Sequence, residues 1–174
     1  MPAAHRPNPS RGQHGPTAGN DAPACKISTK YRPFPDVPEE RRRNMAAIKG
    51  KNTKPEILVR RMLHRQGYRF RLHQRNLPGH PDIVFMSRRK IIEVMGCFWH
   101  QHQEINCRKS IIPLRRREYW EPKLRANVER DAKNMASLRA AGWEVLAIWE
   151  CEVHNTMRIL GKMQAFLGPP ARVS

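Results

Sequence analysis

A chain of 174 residues, 39% of them hydrophobic, has material for one domain with a real core plus a tail. Its 33 Lys and Arg against 15 Asp and Glu leave a net charge of +18, more than solubility requires, so the expected partner is a polyanion, above all nucleic acid; a ribosomal-type or anionic-surface protein would share that balance. No apolar run approaches the roughly 20 residues that cross a bilayer, so no membrane contact is expected.

Residues 1–37 are punctuated by Pro2, Pro7, Pro9, Pro16, Pro23, Pro33 and Pro35 with Gly12, Gly15 and Gly19, and carry few bulky aliphatic groups. Burial cannot offset the entropy of ordering such a segment, which reads as a disordered basic tail with Cys25 a bystander. It lacks the apolar stretch of a secretory signal, so the cytoplasm is expected, where cysteines stay thiols or bind metal. The ordered domain is expected over residues 38–168.

"PEERRRNMAAIKG" predicts a Pro-led helix with acids in its first turn and Gly50 beyond its end. "TKPEILVRRMLHRQG" predicts a second helix, with Thr53 and Glu56 as a capping box and Gly67 as the stop. "YRFRL", "DIVFM" and "IIEVM" are short β-rich runs expected to pair as an antiparallel meander, the last two joined by the polar loop Ser87 to Lys90. After an irregular basic section, Leu124, Val128, Met135 and Leu138 mark one face of a long helix ending at Gly142. "WEVLAIW" reads as a buried strand and Met157 to Leu167 as a closing amphipathic helix. The order predicts an α/β fold, a mixed central sheet with helices on its faces.

If the hairpin closes symmetrically, Met86 pairs with Ile91, Asp82 lies across from Met95, and Glu93 is diagonal to Asp82 on the same face. Two hard oxygen ligands at a sheet edge suit Mg²⁺, whose retained waters can attack a phosphate; a solvated acidic face fits the spacing equally well. Cys97, His102, Cys107 and Cys151 have the composition of a closed structural Zn²⁺ site, with unpaired buried thiols as the alternative. Phe98 and Trp99, adjacent in a turn, suit stacking on bases or wedging between them, while one of them also suits plain core anchoring. His100 is placed to accept a proton or to replace His102 on zinc.

Five segments, "NMAAIKGKNTKPE", "LPGHPDIVF", "GCFWH", "EYWEPKLRANVERD" and "GWEVLAIWECE", stand in order between about Arg41 and Glu152. Together they resemble the very-short-patch-repair endonucleases, which nick DNA beside a T·G mismatch and share the PD-(D/E)xK restriction-endonuclease fold. The resemblance implies a Mg²⁺-dependent endonuclease with a structural zinc. Asp82 would bind Mg²⁺ together with the main-chain carbonyl of Val94, and His100 would be the base, oriented by Asp131. Glu56 would assist, although capping explains the same residue. The zinc ligands would be Cys97, His102, Cys107 and Cys151, and Phe98, Trp99 and Trp120 would enter the base stack. Met95 departs from the family, which has a polar or charged residue there; either activity is reduced or Glu93 supplies the missing group. The implied partner is double-stranded DNA with a T·G mismatch, acted on by a monomer, with mismatch-repair proteins as further partners. A restriction-type endonuclease on matched DNA and a zinc-stabilised DNA-binding module are the competing readings.

Overall fold

The structure is a computed structural model that describes residues 37–47 and 50–170. The expected tail, including Cys25, falls outside the described residues apart from Val37. The chain divides after Ala46 into two units. In the first, α1 (Glu39–Ala46) begins after Pro38, with Glu39 and Glu40 in its first turn and Arg42 paired to Glu39. Acids there offset the positive helix end.

The second unit opens with α2 (Lys54–Arg65), and its start follows the expected chemistry. Thr53 Oγ1 accepts the Glu56 N–H while the Glu56 carboxylate accepts the Thr53 N–H, the reciprocal pairing that stops a helix N-terminus from fraying. Three and seven residues after Glu56, Val59 and Leu63 are fully buried on the same side of the helix. Gly67, at φ +82, then turns the chain through a left-handed conformation closed to most residues.

Four strands follow in spatial order β1 (Arg71–Leu72), β2 (Ile83–Phe85), β3 (Lys90–Met95) and β4 (Glu144–Trp149). The first three form the expected antiparallel meander, and β4 returns parallel to β3 after the long helix α3 (Arg117–Ala140). The helix α4 (Thr156–Leu167), capped by the Asn155 side chain on the Arg158 N–H, closes the fold. One sheet face carries Ile83, Phe85, Ile92, Val94 and Ile148 into a core shared with Val59 and Leu63 of α2 and Ile159, Met163 and Leu167 of α4. The other carries Val84 and Ile91 against Leu138 of α3 and Trp143. This mixed sheet between helices is a restriction-endonuclease-like α/β fold.

Three expectations need correction. The hairpin does not close symmetrically: Phe85 pairs with Lys90 and Ile83 with Ile92, because Met86–Arg88 forms a 3-10 turn and Arg89 is left-handed at φ 54. The register is therefore shifted by two residues, and since side chains alternate with period two, the buried faces are unchanged. "YRFRL" keeps only Arg71–Leu72 as strand and leaves Leu72 exposed, since β1 is an edge and His73, at φ 46, ends it. β4 is likewise the opposite edge and only half-buried, with Ile148 its one fully buried residue.

Candidate active site and metal centre

The observed register carried one step past Ile83 and Ile92 brings Asp82 directly across from Glu93, on the face that α3 covers. The Val94 N–H donates to Asp82 Oδ2 at 2.9 Å, and the Asp82 N–H approaches Glu93 Oε2 at 3.4 Å. One backbone donor thus holds the Asp82 carboxylate, and a second, longer one reaches that of Glu93. An extended residue sends its N–H and C=O to the same side, so the Val94 carbonyl also faces the Asp82 side; consistently, the next carbonyl, Met95, faces β4 and accepts the Glu150 N–H.

Burial raises the Asp82 carboxyl to about 6 against the opposing Val94 hydrogen bond, with Glu56 pushing the same way as burial. For Glu93, burial and then the Asp82 charge push it up to about 8. Two half-buried carboxyls placed face to face favour keeping a proton. A hard divalent ion bound by both oxygens would displace that proton, so the donor set fits Mg²⁺ chemistry.

On the facing helix, Asp131 Oδ2 lies 2.5 Å from His100 Nδ1. Burial pushes Asp131 up, but the bond to His100 and the Arg130 charge outweigh it and hold the carboxyl below its ordinary range. A carboxylate at Nδ1 keeps the proton there and leaves Nε2 as the acceptor. His100 is near enough to act electrostatically on Asp82, favouring the ionised carboxylate. The turn that carries it is held by the His100 N–H on the Gly96 carbonyl and the His102 N–H on the Cys97 carbonyl.

Cys97, His102, Cys107 and Cys151 converge, their ligand atoms all within 4.8 Å of one another. The Cys97 and Cys151 sulfurs lie 3.9 and 3.3 Å from His102 Nδ1. Tetrahedral zinc places such ligand atoms roughly 3.5–4 Å apart, so the cage needs only slight contraction. Burial pushes the Cys97 thiol up to about 12; a bound cation would offset that cost. His102 stacks on Trp149 at 4.1 Å, which fixes its plane. His100, tied to Asp131, is not in this set.

Phe98, Trp99 and Trp120 form one half-buried cluster with centroids 5.1–6.0 Å apart. The sequence did not single out Tyr119, 5.1 Å from Trp120, nor Lys123, whose ammonium lies 5.5–5.8 Å from the rings of Tyr119, Trp120 and Trp99. Their i, i+4 spacing on α3 was the available signal. Met95 is buried beside the acids, and no charged group takes its place on that strand position. Glu56 is 3% exposed and bonded to the Asn52 and Thr53 backbones, the Thr53 hydroxyl and Arg60. Capping therefore accounts for its position, while its charge still reaches Asp82.

Arg60 and His73 gave no sequence signal, since nothing in their spacing places them together. The structure sets His73 between Arg60 and Asp82: Arg60 Nη2 is 3.1 Å from His73 Nε2, and His73 Nδ1 is 3.9 Å from Asp82 Oδ1. Burial and the Arg60 charge hold His73 below its ordinary value.

Facing carboxylates at the central β2–β3 pair, an imidazole–carboxylate pair and a restriction-endonuclease-like sheet are the parts expected of a hydrolase that cleaves DNA. A family model described as DNA mismatch endonuclease Vsr matches residues 36–107. The type II nicking enzyme V.XorIIP of Xanthomonas oryzae pv. oryzae is 47% identical over 132 residues, covering 76% of this chain and 95% of that protein. The type II nicking enzyme V.NmeAIP of Neisseria meningitidis is 40% identical over 64% of this chain and 77% of its own length. The DNA mismatch endonuclease Vsr of Escherichia coli is 38% identical over 68% of this chain and 74% of its own length. The chain belongs to the Vsr family of DNA mismatch endonucleases.

Proposed function

We propose that this DNA endonuclease nicks one strand beside a T·G mismatch, at sites left by cytosine-5 methylation and deamination, and that it requires Mg²⁺. The carrying observation is the His100–Asp131 pair standing near a half-buried Asp82 that faces Glu93. Asp82, Glu93 and the Val94 carbonyl are the residues that would hold Mg²⁺, which when bound stabilises charge on the phosphate and leaving oxygen. His100 Nε2 takes the proton of the attacking water, and Asp131 keeps the ring in the tautomer that can do so. Glu93 stands in for the polar group that Met95 lacks, and Glu56 acts at a distance through its charge on Asp82.

Zn²⁺ is the proposed occupant of the Cys97, His102, Cys107 and Cys151 cage, where it would tie the aromatic turn to the end of β4 and so keep the wedge rigid. Phe98, Trp99 and Trp120 would enter the base stack, at a cost of a few kcal/mol that is least at a mismatched pair. The endonuclease domain is proposed to span residues 38–168, acting as a monomer in the cytoplasm; among the described residues no helix is long and apolar enough to cross a membrane. Residues 1–37 would add phosphate affinity, and contacts with mismatch-repair proteins belong to the same proposal.

The test is nicking of a T·G duplex against a matched duplex of the same sequence, with Mg²⁺ and with zinc quantified in the protein. Preferential nicking of the T·G strand that Asp82→Ala abolishes supports the reading. Equal cleavage of both duplexes would replace it with a restriction-type activity, and binding without cleavage with a DNA-binding module.

A further inference from the structure

A chain of side chains leads from α2 to Asp82, and two of its members, Arg60 and His73, have no part in the machinery described above. Glu56 accepts from Arg60 Nη2 at 2.5 Å, and Asn52 Oδ1 accepts from Arg60 Nη1 at 2.6 Å. The Arg60 side chain is 12% exposed, and these two acceptors hold its guanidinium. Its Nη2 also faces His73 Nε2 at 3.1 Å. An arginine has donors and no acceptor at any accessible pH. His73 Nε2 must therefore be the acceptor of that contact, which places the single ring proton on Nδ1. That nitrogen faces Asp82 Oδ1, the carboxylate oxygen that Val94 does not hold.

We propose that His73 is a positioning residue for the reaction: Arg60 locks it in the neutral Nδ1–H tautomer, and the Nδ1–H orients Asp82 Oδ1 for the divalent ion. The inference rests on Asp82 being the ion-holding carboxylate. At 3.9 Å the Nδ1 to Oδ1 gap exceeds a hydrogen bond; a closure of about 1 Å, or one bridging water, completes it. Such contacts often tighten only when the site is loaded. An imidazole protonated on Nδ1 cannot itself ligate metal through that atom, so His73 acts on Asp82 and not in its place. The opposed donors, Val94 N–H on one oxygen and His73 Nδ1–H near the other, set the carboxylate plane.

The backbone supplies a clean variant series. His73 sits at φ 46, a conformation open to Gly and Asn. His73→Gly removes the ring without straining the chain, and His73→Asn restores an N–H donor near the Nδ1 position. Long-range proton–nitrogen NMR on the zinc-loaded full chain reads the tautomer directly, the His73 ring being the one missing in His73→Asn. Wild type should show Nδ1–H, and Arg60→Met should release the ring to the commoner Nε2–H form. Mn²⁺ binding followed by electron paramagnetic resonance should weaken about 10-fold or more in His73→Gly, the range found for partners that orient metal ligands, with His73→Asn recovering most of it. Nicking should lose kcat and need more Mg²⁺, with KM for duplex DNA unchanged.

An Nε2–H tautomer in wild type overturns the proposal, as does His73→Gly binding Mn²⁺ like wild type. If wild type and Asp82→Ala bind Mn²⁺ alike, the ion does not sit on Asp82, and the inference falls together with the metal reading. If wild type binds Mn²⁺ through Asp82 but fails to discriminate mismatched DNA, the mismatch reading fails while this one stands.

Discussion

Glu93→Gln is the perturbation that reads the acid pair most directly. The side chain keeps its size and loses its charge. In the folded protein, burial and the neighbouring Asp82 raise the Glu93 carboxyl from 4.5 to about 8. A raised carboxyl binds its proton more tightly in the folded state. Its contribution is therefore intact below about 4.5, where both states are protonated, and is lost as pH climbs through about 8. Between those limits the divergence corresponds to about 4 kcal/mol near pH 7.5 at 1.36 kcal/mol per unit, and about half of that if solvent relaxes around the pair. Gln is immune to this loss. Without divalent ions, Glu93→Gln should thus melt roughly 5–15 °C above wild type at pH 8 and with it at pH 4.5, given about 2–4 °C per kcal/mol for a chain of this size. Adding Mg²⁺ should raise the wild-type melting point, by about 2.7 kcal/mol of stability at 100 times the dissociation constant, and raise the variant much less. Scanning calorimetry at the two pH values, with and without Mg²⁺, makes the comparison. Coincident melting at pH 8 would mean that Glu93 is neither buried against Asp82 nor a proton holder, and the acid pair would lose its role.

Asp131→Asn should leave the fold intact and lower kcat about 10²–10⁴-fold, because an amide can no longer keep the His100 proton on Nδ1; single-turnover nicking with saturating DNA measures it. Removing metal with a strong chelator, or Cys107→Ser, should release about one zinc per chain and lower the melting point by many degrees, since crowded thiols must then keep their protons. Trp120→Ala should weaken binding to a T·G duplex by about 1–3 kcal/mol, with less effect on matched DNA, as fluorescence anisotropy would show; equal loss on both duplexes would make the ring a general stacking platform.

Much of this protein is legible along the chain because it is local. A capping box needs only Thr53 and Glu56 at the right spacing, and the structure forms it as expected. The alternation of "DIVFM" and "IIEVM" determines which residues face the core whatever the turn does, which is why the acids reached the same face despite a register shifted by two. Cysteine and histidine content named a metal set before any fold was known, and those four side chains do meet.

What the sequence left open depends on turns and on contacts between distant segments. The turn after Phe85 does not close symmetrically, and with the left-handed Arg89 it sets Asp82 opposite Glu93 instead of diagonal to it. The choice between His100 and His102 for the thiolate cage was settled by Asp131, which reaches His100 from across the fold on α3. Arg60 and His73 are 13 positions apart in chain and carry no motif; only the packing of α2 beside the end of β1 brings guanidinium, imidazole and Asp82 into line. Local chemistry, dictated by neighbours within a few residues, was fixed by sequence, whereas the partner each buried charge finds was decided by the tertiary fold, because desolvated groups must be paired by whatever the packing delivers.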